Sequence, residues 1–309
     1  MKAVRIHSYG GHEVLVLEEA PIPDIADDEV LIRVRAAAVN PVDWKVRAGF
    51  LQEMLSYRFP LILGWDVSGT VAKAGSGASG LREGDDVYAL PDISRDGSYA
   101  EYVAVKAATV APKPRSIDHV QAASVPLAGL TAWQSLFDAA DLQGGQSVLI
   151  QAAAGGVGSF AVQFARWRGA RVLGTASARN RDFLIDLGAD EVIDYTRTPF
   201  EEVTGDLDVV LDAMGGRIQE RSWQVLKKGG VLVSIVGPPD REKAAEYGVR
   251  GEGVFVQPSA AQLTSIAELI DGGQIRTNVT EVLTLAEAAR AHELSETEHV
   301  RGKIVLKVD

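Results

Sequence analysis

The chain contains no cysteine. That absence excludes disulfide bonds, thiolate nucleophiles and every zinc site built with sulfur ligands. Positive charge is scarce as well, because 31 lysines and arginines stand against 42 acidic residues and leave a net charge of −11. Nucleic-acid binding needs a basic footprint for the phosphates, and anionic membrane surfaces attract polybasic clusters. We therefore expect neither a nucleic acid nor a membrane among the partners.

Long apolar runs are also scarce. The longest uncharged stretch, residues 142–165, could span a bilayer by its length, but clustered glycines and four glutamines indicate a soluble segment broken by a loop. The amino-terminal residues pass directly into a strand-like pattern and do not resemble a signal peptide. We expect a cytoplasmic protein, and the length of 309 residues favours two domains.

Two kinds of pattern divide the chain. The first third has short strands, such as 30–39 and 67–72, separated by glycine-rich turns, which favours a barrel-like β domain. From about residue 120 onward, apolar strands alternate with helices, which is typical of a doubly wound parallel sheet. The finer expectations are a helical segment over 118–137 broken at 126–129, a loop over 238–250 and an outer strand over 253–257.

The strongest local signal is a glycine-rich turn at 152–161, AAAGGVGSFA, which follows an apolar strand and opens a helix. Gly156, Gly158 and Ala161 fit the G-x-G-x-x-A pattern, in which the backbone approaches a pyrophosphate at the helix N-terminus. A turn that uses its glycines only for packing is the alternative. The residues expected to contact a dinucleotide here are Gly155, Gly156 and Val157.

The end of the next strand indicates which dinucleotide binds. NAD-binding folds place Asp or Glu there for the ribose 2′-hydroxyl. This chain reads TASAR at 175–179, and its next acid is Asp182. A hydroxyl and a guanidinium, from Ser177 and Arg179, suit a 2′-phosphate, so we expect NADPH as the cofactor. Tyr195, at the end of the following strand, is expected to cover the adenosine or to be simply a half-buried aromatic.

Several motifs occur in the order of a known family. They are NPVD at 40–43, LGWDVSGTV at 63–71, GDDV at 84–87, PLAGLTA at 126–132, AAGGVG at 153–158 and GK at 302–303. With them the chain resembles the medium-chain dehydrogenases/reductases, and within these the zinc-free, zeta-crystallin-like quinone oxidoreductases and the NADPH-dependent alkenal reductases.

The resemblance implies a fold of two domains. It consists of a GroES-like β-rich substrate domain, residues 1–123 and 258–309, and an inserted Rossmann domain, residues 124–257. It also implies a homodimer, paired through the outer strand of the Rossmann sheet.

The resemblance also bears on metals. The positions that hold the catalytic zinc in the alcohol dehydrogenases of this superfamily correspond to Asn40, Trp65 and Leu127, and only the neighbouring Asp66 could ligate a metal. We therefore expect no metal. Without a Lewis acid to stabilise an alkoxide, quinones and α,β-unsaturated carbonyls, which accept hydride directly, become the favoured substrates.

Two residues are expected to be catalytic. Asn40 is expected to donate to the nicotinamide ribose or a substrate oxygen, with a side chain that only completes the Asn-Pro turn as the alternative. Lys45 is expected to reach substrate or phosphate, with a solvated surface lysine as the alternative. The further cofactor contacts implied by the resemblance are Asn40, Thr131, Met214, Val236, Phe255 and Lys303.

Three functions remain open from the sequence. The first is a quinone oxidoreductase, the second an alkenal or enone reductase without quinone activity, and the third a non-catalytic NADPH-binding structural or redox-sensing protein. No Ser–His–Asp set is recognisable, and the five histidines are expected to be surface or structural residues.

Overall fold

The computed structural model describes residues 1–308. The chain divides into two compact units. Unit 1 consists of Met1–Leu127 and the described residues from Pro258 onward, and unit 2 is Ala128–Gln257. No helix within residues 1–308 combines the length and apolar character needed to cross a membrane.

Strands supply most of unit 1 and the centre of unit 2. In chain order they are β1 Lys2–Ile6, β2 Val16–Glu19, β3 Glu29–Val39, β4 Leu61–Ile62, β5 Val67–Ala74, β6 Asp86–Ala89, β7 Tyr102–Lys106, β8 Val110–Pro112, β9 Ser147–Ile150, β10 Arg171–Ala176, β11 Glu191–Asp194, β12 Leu207–Asp212, β13 Leu226–Ser234, β14 Arg250–Gly253, β15 Val279–Thr284 and β16 Lys303–Lys307.

The α-helices connect these strands or cover the sheets. They are α1 Pro41–Arg47, α2 His119–Ala123, α3 Pro126–Trp133, α4 Gly156–Trp167, α5 Arg181–Asp186, α6 Gly216–Ser222, α7 Arg241–Tyr247, α8 Ala260–Asp271 and α9 Ala288–Glu296, and a π-helical segment, Gln134–Ala139, extends α3.

Unit 1 is built on two sheets. One has the order β2-β1-β4, and the larger has the order β15-β16-β3-β5-β6-β8, with β7 also paired to β3. Alanines on β3, including Ala36 and Ala38, pack with Ala123 of α2 and Val305 of β16. Antiparallel pairing opposes Ile304 to Val39, so the start of the last strand lies beside the end of β3.

Unit 2 is a parallel sheet with the order β11-β10-β9-β12-β13-β14, in which every neighbouring pair is parallel. Leu149, Leu173, Trp223 and Leu232 belong to its buried core. The strand order reverses between β9 and β12, and ligands of such sheets bind at the carboxyl ends of the strands at that point. The predicted fold class, a GroES-like domain and a doubly wound parallel sheet, is confirmed.

Three finer expectations were wrong. The helical segment breaks at 124–125 rather than at 126–129, because Pro126 begins α3, where a missing backbone N–H does no harm. The expected loop over 238–250 contains α7, which Asp240 caps by accepting from the backbone N–H groups of residues 242 and 243. The outer strand is β14, which ends at Gly253 because its partner β13 ends opposite, at Ser234.

Candidate active site

Three buried polar side chains meet at the end of β3 in unit 1. Asn40 donates through Nδ2 to Asp66 Oδ2 at 2.8 Å. Lys303 Nζ donates to the same Asp66 oxygen at 3.2 Å, to the carbonyl of Val39 at 3.2 Å and to Asn40 Oδ1. Asp66 Oδ1 accepts from the backbone N–H of Leu127 at 2.6 Å. None of the three side chains belongs to a residue more than 4% exposed, so water screens their charges little.

Local structure brings the members of this Asn40–Asp66–Lys303 cluster together. Asn40 is the N-cap of α1 and forms a capping box, in which its backbone N–H donates to Asp43 Oδ2 at 2.8 Å. Pro41 follows as the first helical residue. Lys303 begins β16, which the pairing with β3 sets beside the same strand end.

A second hydrogen-bonded chain leads from Asp43 towards the surface of unit 1. Tyr99 Oη donates to Asp43 Oδ2 at 2.8 Å, and His292 Nε2 lies 3.3 Å from Tyr99 Oη. Arg47 Nη1 lies 3.2 Å from His292 Nδ1, and Arg47 Nη2 donates to Glu296 Oε1 at 2.6 Å. Because guanidinium can only donate, Nδ1 of His292 accepts and its Nε2 carries the proton.

Burial shifts the ionisation of both networks. It raises the pKa of Asp43 to about 7, against hydrogen bonds to the backbone of Asn40 and to Tyr99 that lower it. Burial also raises the pKa of Asp66, and the Lys303 ammonium opposes that rise. The pKa of His292 falls to about 3 through burial and the nearby Arg47 charge. Within the described part of the chain Asp43 Oδ1 has no hydrogen-bond partner, so the neutral carboxyl avoids a buried, unpaired negative charge.

The residues at and beside the positions that the resemblance aligns with zinc ligands make other contacts in this protein. Trp65 is fully buried, and its indole N–H donates to the carbonyl of Arg95 at 3.2 Å. The Asp66 carboxylate bonds to the Asn40 amide, the Lys303 ammonium and the Leu127 N–H. Within residues 1–308, no group of three or more His, Asp or Glu side chains is placed to hold a metal ion.

Lys45, the other predicted catalytic residue, lies outside the cluster. It is on α1, partly exposed, and its Nζ lies 5.6 Å from the centroid of the Trp44 ring. Its catalytic role stays a prediction.

The start of α4 forms the first part of the carboxyl edge of unit 2. Gly155 is the N-cap, none of the described side chains caps the helix, and Gly156 and Val157 form its first turn. A Cβ at Gly158 would lie 2.4 Å from the carbonyl oxygen of Ala152, so only glycine allows this close approach of the helix to the preceding turn. The uncapped first turn has backbone N–H groups for an anion and fits the predicted pyrophosphate contact.

The ends of β10 and β11 carry the residues predicted for the adenosine half. Ser177 follows β10 directly, and Asn180 Nδ2 donates to its Oγ at 3.4 Å. Arg179 is exposed two residues later. Tyr195 follows β11, the neighbouring strand, and is 53% exposed. Because β10 and β11 are parallel neighbours, these residues share one edge of the sheet.

Large apolar side chains stand half exposed at the ends of the other strands. Met214 follows β12, Val236 follows β13 and Phe255 follows β14, with exposures of 52%, 44% and 51%. Asp212 orders the first of these turns, because its Oδ1 accepts from the backbone N–H groups of Met214 and residue 215. Thr131, predicted as a cofactor contact, is 5% exposed on α3 and presents little surface to any ligand.

Unit 1 also holds a Ser–His–Asp arrangement that the sequence did not reveal. Ser68 Oγ lies 2.8 Å from His119 Nδ1, and His119 Nε2 lies 3.3 Å from Asp86 Oδ1. Ser68 is 0% exposed, so its oxygen cannot reach a substrate carbonyl. The set is therefore structural and joins β5, β6 and the start of α2.

The sequence did not identify the residues of the hydrogen-bonded chain that leads from Asp43 towards the surface. Asp43 had a local signal, because Asn-x-x-Asp at a helix start is a capping box. Tyr99, His292 and Arg47 had none, since long-range packing alone brings them together.

Two family models match parts of this chain. Residues 26–115 match the family model described as the alcohol dehydrogenase GroES-like domain, and residues 187–306 match the one described as zinc-binding dehydrogenase. The chloroplastic NADPH-dependent alkenal/one oxidoreductase of Arabidopsis thaliana is 37% identical over 320 residues, which cover 99% of this chain and 79% of that protein.

Two solved structures are similar over the whole chain. The quinone oxidoreductase from Coxiella burnetii has a TM-score of 0.94 at 37% identity, covering 100% of this chain and 99% of that chain. The Escherichia coli quinone oxidoreductase complexed with NADPH has a TM-score of 0.89 at 28% identity, covering 99% and 100%.

Proposed function

Because the chain belongs to the medium-chain dehydrogenase/reductase superfamily, we propose that it reduces quinones or α,β-unsaturated carbonyls with NADPH and without zinc. The protein is an NADPH-dependent oxidoreductase. The observation that carries the proposal is the carboxyl edge of unit 2. There a glycine turn, an exposed arginine, a half-exposed tyrosine and three half-exposed apolar side chains lie on one sheet with a reversal in strand order.

The residues of unit 2 fit a dinucleotide phosphate. The first turn of α4, from Gly156, would hold the pyrophosphate, and Ser177 with Arg179 would hold the 2′-phosphate. Tyr195 would cover the adenine, while the apolar groups after β12 to β14 would exclude water from the nicotinamide half. Bound NADPH supplies the hydride.

The residues of unit 1 favour a reaction without zinc. A catalytic zinc needs three protein ligands, and here an amide, an indole and an aliphatic side chain stand at the expected positions, Asn40, Trp65 and Leu127. A quinone or an enone needs no Lewis acid to become an acceptor of hydride. In this proposal Asn40 donates a hydrogen bond to the substrate oxygen, where negative charge develops after hydride transfer.

The test is steady-state oxidation of NADPH with a panel of quinones and enones, with and without chelator, alongside elemental analysis of the purified protein. We expect turnover without stoichiometric zinc and no loss with chelator. Full loss of activity with a mild chelator would reject zinc independence. Turnover of enones alone would establish the double-bond reductase. NADPH binding without turnover of any member would establish the non-catalytic alternative.

We also propose a homodimer that pairs through β14. Among the strands of residues 1–308 this strand has one neighbour, β13, and a free strand edge in a folded protein needs cover. Phe255 stands half exposed beside it, next to a shallow depression lined by Gln134 and Asp138. Light scattering should give twice the chain mass of 33.0 kDa, and a monomer at micromolar concentration would reject the pairing. The cytoplasmic location stays a prediction, which fractionation of the source cells would test.

A further inference from the structure

Lys303 is an unusual residue to find 4% exposed, because burial of a charge is costly unless strong partners replace the water. Its ammonium has three protons and meets three oxygens, on Val39, Asn40 and Asp66. The contacts described for Nζ therefore use its full donor capacity and leave none for a cofactor phosphate.

The ion pair determines how the Asn40 carboxamide is oriented. Oδ1 faces the ammonium of Lys303, and Nδ2 faces the carboxylate of Asp66. A flipped amide would set N–H groups against the ammonium and its oxygen against the carboxylate, and both contacts would be repulsive. One of the two Nδ2 protons is used by Asp66, so the second is available in one fixed direction.

We propose that Lys303 is a positioning residue, which acts with Asp66 to hold the Asn40 carboxamide with its second Nδ2 proton towards the reacting ligand. The role of Asn40 rests on the proposed function. The role of Lys303 differs from the cofactor contact expected from the sequence, since the ammonium acts through Asn40 and not on the cofactor. Preorganised donors of this kind accelerate a reaction because they need no reorientation as charge develops.

The experiment compares Lys303→Met with the double variant Lys303→Met/Asp66→Asn. The single variant leaves the Asp66 carboxylate buried without its counter-ion, so we expect a lower melting temperature and a lower kcat. The double variant removes both charges, so its melting temperature should return most of the way to wild type. The Asn40 carboxamide loses both of its charged partners, however, so kcat should stay roughly tenfold to a hundredfold below wild type.

Two further readouts separate positioning from other roles. The Kd for NADPH should stay within about threefold of wild type in the double variant, whereas a direct phosphate contact would raise it about tenfold or more. Lys307→Met, at an exposed lysine on the same strand, is the matched control and should leave melting temperature and kcat unchanged. Recovery of kcat together with the melting temperature in the double variant would overturn the proposal, as would the tenfold loss of NADPH affinity.

A test that needs no activity keeps the inference separate from the proposed function. The chain has only three asparagines, Asn40, Asn180 and Asn278, so selective ¹⁵N-asparagine labelling gives three side-chain amide pairs. Asn40→Ser assigns one of them, and because Asp66→Asn adds a fourth pair, the same substitution is also made in the double variant to assign its Asn40 pair. In wild type the Asn40 amide protons should exchange slowly, and in the double variant they should exchange faster. Equal exchange in both would reject the positioning role. Wild type that fails to reduce any quinone or enone would instead reject the proposed function.

Discussion

The candidate site of unit 2 consists of exposed groups at a sheet edge, whereas that of unit 1 consists of buried polar side chains that already contact one another. Unit 2 offers backbone N–H groups, glycines and half-exposed side chains at one sheet edge, so its ligand would supply the missing charge and burial. Unit 1 has already buried its titratable side chains, and Asp43, Asp66, His292 and Lys303 lie among protein partners. The exposed edge of unit 2 suits the binding of a ligand. The buried groups of unit 1 are preorganised, and this lowers the stability of the fold but favours catalysis.

The difference between the two units should appear most strongly in the pH dependence of the unfolding free energy, because unit 1 holds the buried titratable groups. His292 has a pKa lowered from 6.5 to about 3, so the stability that its neutral form contributes is present above pH 6.5 and is lost as the pH falls towards 3. His292→Gln keeps a donor for Tyr99 but does not titrate. The excess unfolding free energy of wild type over this variant should shrink by roughly 3 kcal/mol between pH 7.5 and pH 4, measured by denaturant titration.

Asp43→Asn gives the matched comparison for Asp43, whose contribution to stability should change with pH in the opposite direction to that of His292. The pKa of Asp43 is raised from 3.8 to about 7, so its contribution is present at low pH and is lost as the pH rises through 7. Wild type should therefore lose stability relative to Asp43→Asn between pH 4 and pH 8. Parallel pH curves for wild type and either variant would show that the burial of these groups does not shift their ionisation.

A smaller effect is expected from steric change in unit 2. Gly158→Ala would set a methyl group 2.4 Å from the Ala152 carbonyl oxygen, and relief needs a backbone shift at the turn. We expect a loss of about 1–3 kcal/mol in stability and weaker binding of both NADPH and NADH. Gly205→Ala is the control, because within residues 1–308 no atom beyond its immediate chain neighbours lies within 4 Å of its added Cβ. Unchanged cofactor affinity in Gly158→Ala, measured by titration, would show that this turn does not bind the pyrophosphate.

The smallest and most selective effect concerns the 2′-phosphate. Arg179→Ala should weaken NADPH binding about tenfold and leave NADH nearly unchanged, because a charge-assisted hydrogen bond contributes about 1.5–3 kcal/mol. Arg179→Asp should go further, since a carboxylate repels the phosphate and accepts from a free 2′-hydroxyl. Arg171→Ala, at the opposite end of β10, is the control and should alter neither affinity. Equal losses for the two cofactors in Arg179→Ala would make that arginine structural.

The sequence indicated unit 2 more completely than unit 1 for a physical reason. A parallel sheet assembles its ligand edge from short turns, and each turn, such as those at Gly156 and Ser177, carries its own local pattern. The buried cluster of unit 1 joins residues from distant parts of the chain. Asn40 and Asp66 stand out in motifs, but nothing beside Lys303 or His292 reveals that they are buried and paired.

The positions of Asp66 and Lys303 in the chain have a consequence for biosynthesis. Their ion pair joins residues 237 positions apart, and β16 pairs with β3 across almost the entire sequence. Synthesis proceeds from the amino terminus, so all of unit 2 has left the ribosome before the last strand of unit 1 exists. Until Lys303 has left the ribosome, the Asp66 carboxylate lacks this counter-ion and must remain hydrated. Unit 1 therefore begins first and is completed last, and a ribosome stalled near residue 300 would hold a complete unit 2 and a unit 1 that still lacks β16.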